Sequence, residues 1–163
     1  MQIYLMQHGQ AVPESENPEQ PLSREGVAQI QSSATAMKRL GIALDLIVCS
    51  PKKRSRQTAA LIAEGVNYPY SDIVESETVK PTASAIDAVS FLRQSHDCTT
   101  VLIAGHLPSL VNLASLLLGG DTSVRLRFET GGLCRIDTTD LAPGEAELVF
   151  HLPAVQMRLL ANP

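Results

Sequence analysis

The sequence predicts an α/β fold, a three-layer α/β/α sandwich around a mainly parallel sheet, and three observations carry that prediction. First, short apolar runs at residues 3–6, 44–49 and 99–104 have the length and β-prone composition of buried strands. Second, stretches with the apolar spacing of amphipathic helices alternate with these runs, which is the pattern of a parallel sheet covered on both faces. Third, a chain of 163 residues, 44% hydrophobic and 18% charged, has the size and composition to bury one proper core.

Taken in order, Ile3, Tyr4, Leu5 and Met6 form the first strand, which stops at Gln7-His8-Gly9, where Gly9 lets the chain turn. Residues 10–23 lack periodicity and hold Pro13, Pro18 and Pro21, so they read as a loop that either folds over a site or makes a plain surface excursion. Ser23 caps a helix over 24–40, with Val27, Ile30, Ala34, Met37 and Leu40 on one face and Gly41 at its end. The second strand, 44–49, runs into Ser50-Pro51, a capping hydroxyl followed by proline at the first helical position. That helix is expected to reach residue 64, with Thr58, Leu61 and Ile62 inward and Gly65 closing it.

Residues 66–81 are irregular, with a short strand possible at 72–75, and 82–94 is helical by pattern through Ala85, Ile86, Val89 and Leu92. The strand 99–104 ends in Gly105-His106. Pro108 opens a helix to residue 118, which Gly119-Gly120 terminates. Residues 133–137 and 147–152 read as two strands flanking the turn Pro143-Gly144, and 155–160 fits helix or strand. With no internal repeat or linker, residues 1–163 are expected to form a single domain.

Composition narrows the function. A net charge of −4 and the lack of a long basic stripe argue against nucleic-acid binding. The one basic cluster, Lys52, Lys53, Arg54 and Arg56, suits a single phosphate group better than a polyanion. Cys49, Cys98 and Cys134 are odd in number and widely spaced, so they read as buried thiols in a reducing compartment. The longest apolar stretch, 110–118, is too short to span a bilayer, and no signal segment is visible. A cytoplasmic protein is expected.

In a parallel sheet every strand-to-helix junction lies on one edge, so His8, the segment 50–54 and His106 are expected to meet at one rim. Lys52, Lys53 and Arg54 stand at a helix start, where the macrodipole disfavours positive charge by about 0.3–1 kcal/mol each. A bound anion relieves that conflict, because helix N-termini offer free N–H groups. Arg54 has the planar fork suited to phosphate, whereas Lys52 and Lys53 read as solvated. Two histidines and an arginine suit a phosphate pocket in which one histidine attacks phosphorus. A metal site is the competing use of the histidines, but it lacks a third good ligand at the rim.

The stretches LMQHG, PLSREG, CSPKKRSRQTA and IAGHLPSL together resemble the histidine phosphatase superfamily, the phosphoglycerate-mutase-like fold. The Ser-Pro-x-x-Arg-x-x-Gln-Thr pattern over 50–58 is the most telling, and the SixA type of phosphohistidine phosphatase is the nearest in pattern. The resemblance implies a metal-independent hydrolase with no cofactor. His8 would be the nucleophile, with Arg54 and His106 contacting the phosphoryl group. Gln7, Gly9 and Ser50 would complete a phosphate-binding set with Arg54 and His106. It also implies an acid from the segment after the second helix, for which Glu77 is preferred over Glu75. The implied partner is a phosphorylated protein carrying phosphohistidine, or a small phosphorylated substrate, with neither nucleic acid nor membrane involved.

One departure stands out: the family usually reads Arg-His-Gly where this chain has Gln7-His8-Gly9. Glutamine donates hydrogen bonds without charge or a bidentate fork. Bonds to charged groups contribute about 1.5–3 kcal/mol against about 1 for neutral ones, so transition-state binding is expected to weaken. Phosphohistidine asks less of such a site than a phosphate ester, because protonated imidazole is a good leaving group. A phospho-binding module with little turnover is the reading from another class.

Overall fold

β1 (Gln2–Gln7) lies inside a six-stranded sheet of order β3-β2-β4-β1-β5-β6, in a computed structural model that describes residues 1–95 and 97–162. The other strands are β2 (Leu46–Cys49), β3 (Val74–Glu75), β4 (Thr100–Gly105), β5 (Leu133–Asp137) and β6 (Glu147–Leu152). β1 pairs with β4, β4 with β2 and β2 with β3, all parallel, whereas β5 and β6 add an antiparallel edge. The helices are α1 (Arg24–Arg39), α2 (Lys53–Val66), α3 (Ala85–Gln94), α4 (Ser109–Gly119) and α5 (Ala154–Ala161), so the ambiguous C-terminal segment is helical.

Alternation along the strands sorts the core into two layers. Ile3, Leu5, Val48, Val101 and Ile103 pack with Leu92 of α3 and with Leu110 and Leu113 of α4. Tyr4, Met6, Ile47, Leu102 and Ala104 face the opposite way, onto Ile30 and Met37 of α1, Ile62 of α2 and Met157 of α5. The three-layer sandwich expected from the sequence is the observed one. Among the described residues no helix is long and apolar enough to cross a membrane.

Several local expectations change. α2 starts at Lys53 with Lys52 at the cap position, so Ser50 and Pro51 lie in the bend before it and not in its first turn. The reason is tertiary: the Ser50 N–H donates to Ser55 Oγ (2.9 Å), and the Ser55 hydroxyl donates to the Ala104 carbonyl (2.7 Å). That tie holds Ser50 against β4 and leaves it no N–H of the helix to cap.

Gly65 lies within α2, which runs to Val66 and ends at Asn67 in the left-handed conformation (φ 59°). Gly65 is a contact glycine: a Cβ there would stand 2.4 Å from the Ala34 Cβ, where α1 and α2 cross. Leu40 and Ile86 are exposed, outside the buried stripes of their helices, and Cys98 is only half-buried while Cys49 and Cys134 are buried.

Candidate active site

The expected convergence occurs. Gln7 is in register with Gly105, and the His8 N–H donates to the Gly105 carbonyl (3.1 Å), so the ends of β1 and β4 are locked side by side. The rings of His8 and His106 then stand 4.9 Å apart between centroids, tilted by 59°. Arg54, in the first turn of α2, completes the cluster by donating from Nε to His8 Nε2 at 2.9 Å.

The hydrogen bonds of His8 assign its tautomer. Nδ1 lies 2.7 Å from the Gly9 carbonyl, which can only accept, so Nδ1 carries the proton. Nε2 is therefore the lone pair, the atom that meets Arg54. Burial pushes the His8 pKa below the ordinary 6.5; the Gly9 carbonyl opposes this and the Arg54 charge reinforces it. At neutral pH the ring is an uncharged base with its lone pair toward the guanidinium.

His106 is held differently. It is 2% exposed, and its Nε2 lies 2.6 Å from the hydroxyl of fully buried Ser50. Burial, followed by the charges of His8, Arg54 and Lys52, pushes its pKa down to about 3, so it too is neutral. Its carbonyl accepts from the Ser109 hydroxyl (2.9 Å) and the Leu110 N–H (3.0 Å), which fix the start of α4.

The other residues of the Ser50–Thr58 motif brace this arrangement. Thr58 Oγ1 accepts from the Gly9 N–H (3.1 Å) and Gln57 Oε1 from the Leu22 N–H (2.7 Å). Gly9 is required for close approach, since a Cβ there would stand 2.8 Å from both the Gly26 carbonyl oxygen and the Ile30 Cγ1. Its N–H is engaged by Thr58, and Gly9 is one of the residues that the resemblance places in the phosphate-binding set.

The loop 10–23 is seated against α2. Arg54 Nη1 donates to Gln20 Oε1 (2.7 Å) and Glu19 pairs with Lys53, while an Ala11–Leu22 bridge closes the loop on itself. Gln20 is a contact the sequence reading missed. Its φ of 47° belongs to a loop with no period to flag it.

Glu75 and Glu77 lie at and beyond the end of β3, where the Ser76 N–H donates to the Cys49 carbonyl (2.9 Å). Both are exposed, Glu75 near Arg56 (3.6 Å) and Glu77 paired with Lys80. Among the described residues the Gln7 side chain has no hydrogen-bond partner, and its carbonyl accepts from the Gly131 N–H (3.0 Å). The same residues contain no group of three or more His, Cys, Asp or Glu arranged to hold a metal ion.

Known proteins share this fold. The family model of the histidine phosphatase superfamily (branch 1) matches residues 3–80, which include His8 and the Ser50–Thr58 motif. The phosphohistidine phosphatase SixA of Escherichia coli is 24% identical over 124 residues, covering 75% of this chain and 77% of that protein. A structure of SixA complexed with tungstate superposes with a TM-score of 0.85 at 21% identity, over 95% of this chain and 98% of that one. The alpha-ribazole phosphatase of Shigella flexneri shares the fold at a TM-score of 0.77 and 16% identity, over 94% and 97% of the two chains. Over residues 3–80 the chain is thus similar to the histidine phosphatase superfamily (branch 1), and over nearly its whole length it shares the fold of SixA.

Proposed function

We propose that this protein is a metal-independent phosphatase that works through a phosphohistidine on His8 and removes phosphate from phosphohistidine in a protein substrate. One observation carries the reading: Nδ1 of His8 is committed to the Gly9 carbonyl, so Nε2 offers its lone pair to the pocket beside Arg54. In the first step the bond from His8 Nε2 to phosphorus forms as the bond to the substrate imidazole breaks. The substrate ring, protonated on its other nitrogen, departs as neutral imidazole. In the second step water attacks phosphorus, the bond to His8 Nε2 breaks, and inorganic phosphate leaves with His8 neutral again.

The guanidinium of Arg54 moves from the lone pair to the phosphoryl oxygens, where charge accumulates. His106 contacts the same group from the side of β4. Glu77, paired with Lys80 and exposed, is the candidate acid for substrates whose leaving group needs a proton. Phosphohistidine makes little demand on it. Residues 1–163 act as one domain in this reading.

The Gln7 amide, without a partner among the described residues where the family pattern has an arginine, favours a second reading, a phospho-binding module with little turnover. Phosphate release from a phosphohistidine-bearing carrier protein, measured beside a phosphoserine peptide and repeated with His8→Ala, separates the two. Turnover of the carrier protein that the variant lacks supports the phosphatase. Retention of the phosphorylated carrier without release supports the binding module.

A further inference from the structure

The hydroxyl of Ser50 is buried between two groups. It lies 3.3 Å from the Lys52 N–H, which donates to it, and 2.6 Å from His106 Nε2. Its own proton therefore has one acceptor among the described residues, the Nε2 lone pair. If Nε2 carried the proton instead, the Ser50 O–H would be left without an acceptor in a fully buried site, which folded proteins avoid.

With Nε2 accepting, the single proton of neutral His106 sits on Nδ1. That atom is the one buried side-chain nitrogen or oxygen among the described residues with no hydrogen-bond partner. A buried, unpartnered N–H, on a ring 4.9 Å from that of His8, lacks only an acceptor. The opposite tautomer would present a lone pair there, which repels an anion.

We propose that Ser50 is a positioning residue that holds His106 in its Nδ1–H tautomer, so that this N–H donates to an oxygen of the phosphoryl group transferred to His8. The inference rests on the phosphatase reading above and assigns Ser50 a role other than touching phosphate itself. A neutral imidazole needs such control, because it has one proton and two places for it; a charged ring would donate from both. Burial keeps His106 uncharged, with a pKa of about 3, so the choice of tautomer decides whether the pocket meets a donor or an acceptor. The position of Ser50 is itself secured, through Ser55, to the Ala104 carbonyl two residues before His106.

The test is nitrogen-15 NMR of the histidine rings in the resting protein, followed by titration with inorganic phosphate. In the wild type, His106 should show a protonated Nδ1 and an unprotonated Nε2, and phosphate should move the Nδ1 signal. Ser50→Ala should lose the single-tautomer pattern and weaken phosphate binding about tenfold, as expected for a hydrogen bond to a charged group. Ser50→Thr, which keeps the hydroxyl, should retain both.

A proton on Nε2 in the wild type overturns the proposal without any variant. So does a Ser50→Ala protein with an unchanged ring pattern and affinity. Equal weakening in both variants with the ring pattern unchanged would show a merely structural role and overturn it as well. These readouts do not require turnover, so failure of His8 to become phosphorylated would defeat the phosphatase reading while leaving the tautomer measured.

Discussion

The ends of β1 and β4 carry the same residue at adjacent positions of the sheet, yet they prepare it in opposite ways. His8 is partly exposed, spends its Nδ1 proton on its own neighbour's carbonyl, and turns a lone pair toward a cation. His106 is buried, spends its Nε2 on Ser50, and leaves Nδ1 without a partner among the described residues. A lone pair suits attack on phosphorus and an N–H suits stabilisation of its oxygens. Two chemically identical side chains thus offer distinct chemistry according to which ring nitrogen the fold engages.

The strongest way to break this comparison is to remove the lone pair. His8→Ala should abolish phosphate release while the protein keeps its circular dichroism and melting profile; full activity in the variant would end the assignment. Arg54→Ala comes next. Loss of its charge and hydrogen bonds should lower kcat/KM by about 10²–10³, or roughly 2.7–4 kcal/mol. It should also move the acid limb of the rate profile. Protonated His8 has no lone pair, so activity is full above its pKa and lost as pH falls through it. Burial and Arg54 set that pKa below 6.5, and removing Arg54 should move the limb upward.

His106 should reveal itself in stability. Its folded pKa of about 3 lies below the unfolded value near 6.5, so between the two the unfolded chain binds more protons. Stability contributed by burying this neutral ring is fully present above 6.5 and is lost as pH falls toward 3. Melting temperatures of wild type and His106→Asn should therefore converge on acidification; a constant gap would contradict the burial argument. Gln7→Arg should have the smallest effect, raising inorganic phosphate affinity by about tenfold or less through a charged hydrogen bond. Weaker binding would mean that the pocket is built around the neutral amide.

Much of this site was legible in the sequence because it follows from period and junction. The apolar runs at β1, β2 and β4 are short and bounded, and parallel strands must deliver their ends to one rim, so His8, Arg54 and His106 could be brought together on paper. What escaped depends on contacts between distant segments. Ser50-Pro51 has the local signature of a helix start, but the tie to Ala104 through Ser55 overrides it. Gly65 has the signature of a helix stop, yet it is there because Ala34 presses on it. Gln20 sits in a loop whose path is set by Arg54, Gln57 and Lys53, none of which its own sequence announces.

The proposed mechanism turns on transfer of the phosphoryl group to His8 Nε2. Rapid quenching of the protein after mixing with phosphoramidate, under alkaline conditions that preserve phosphohistidine, followed by mass-spectrometric mapping, tests it most directly. Phosphate should appear on His8 within the first turnover and decay to inorganic phosphate. Unmodified His8 while phosphate is still released, or phosphate mapped to another residue, would contradict it.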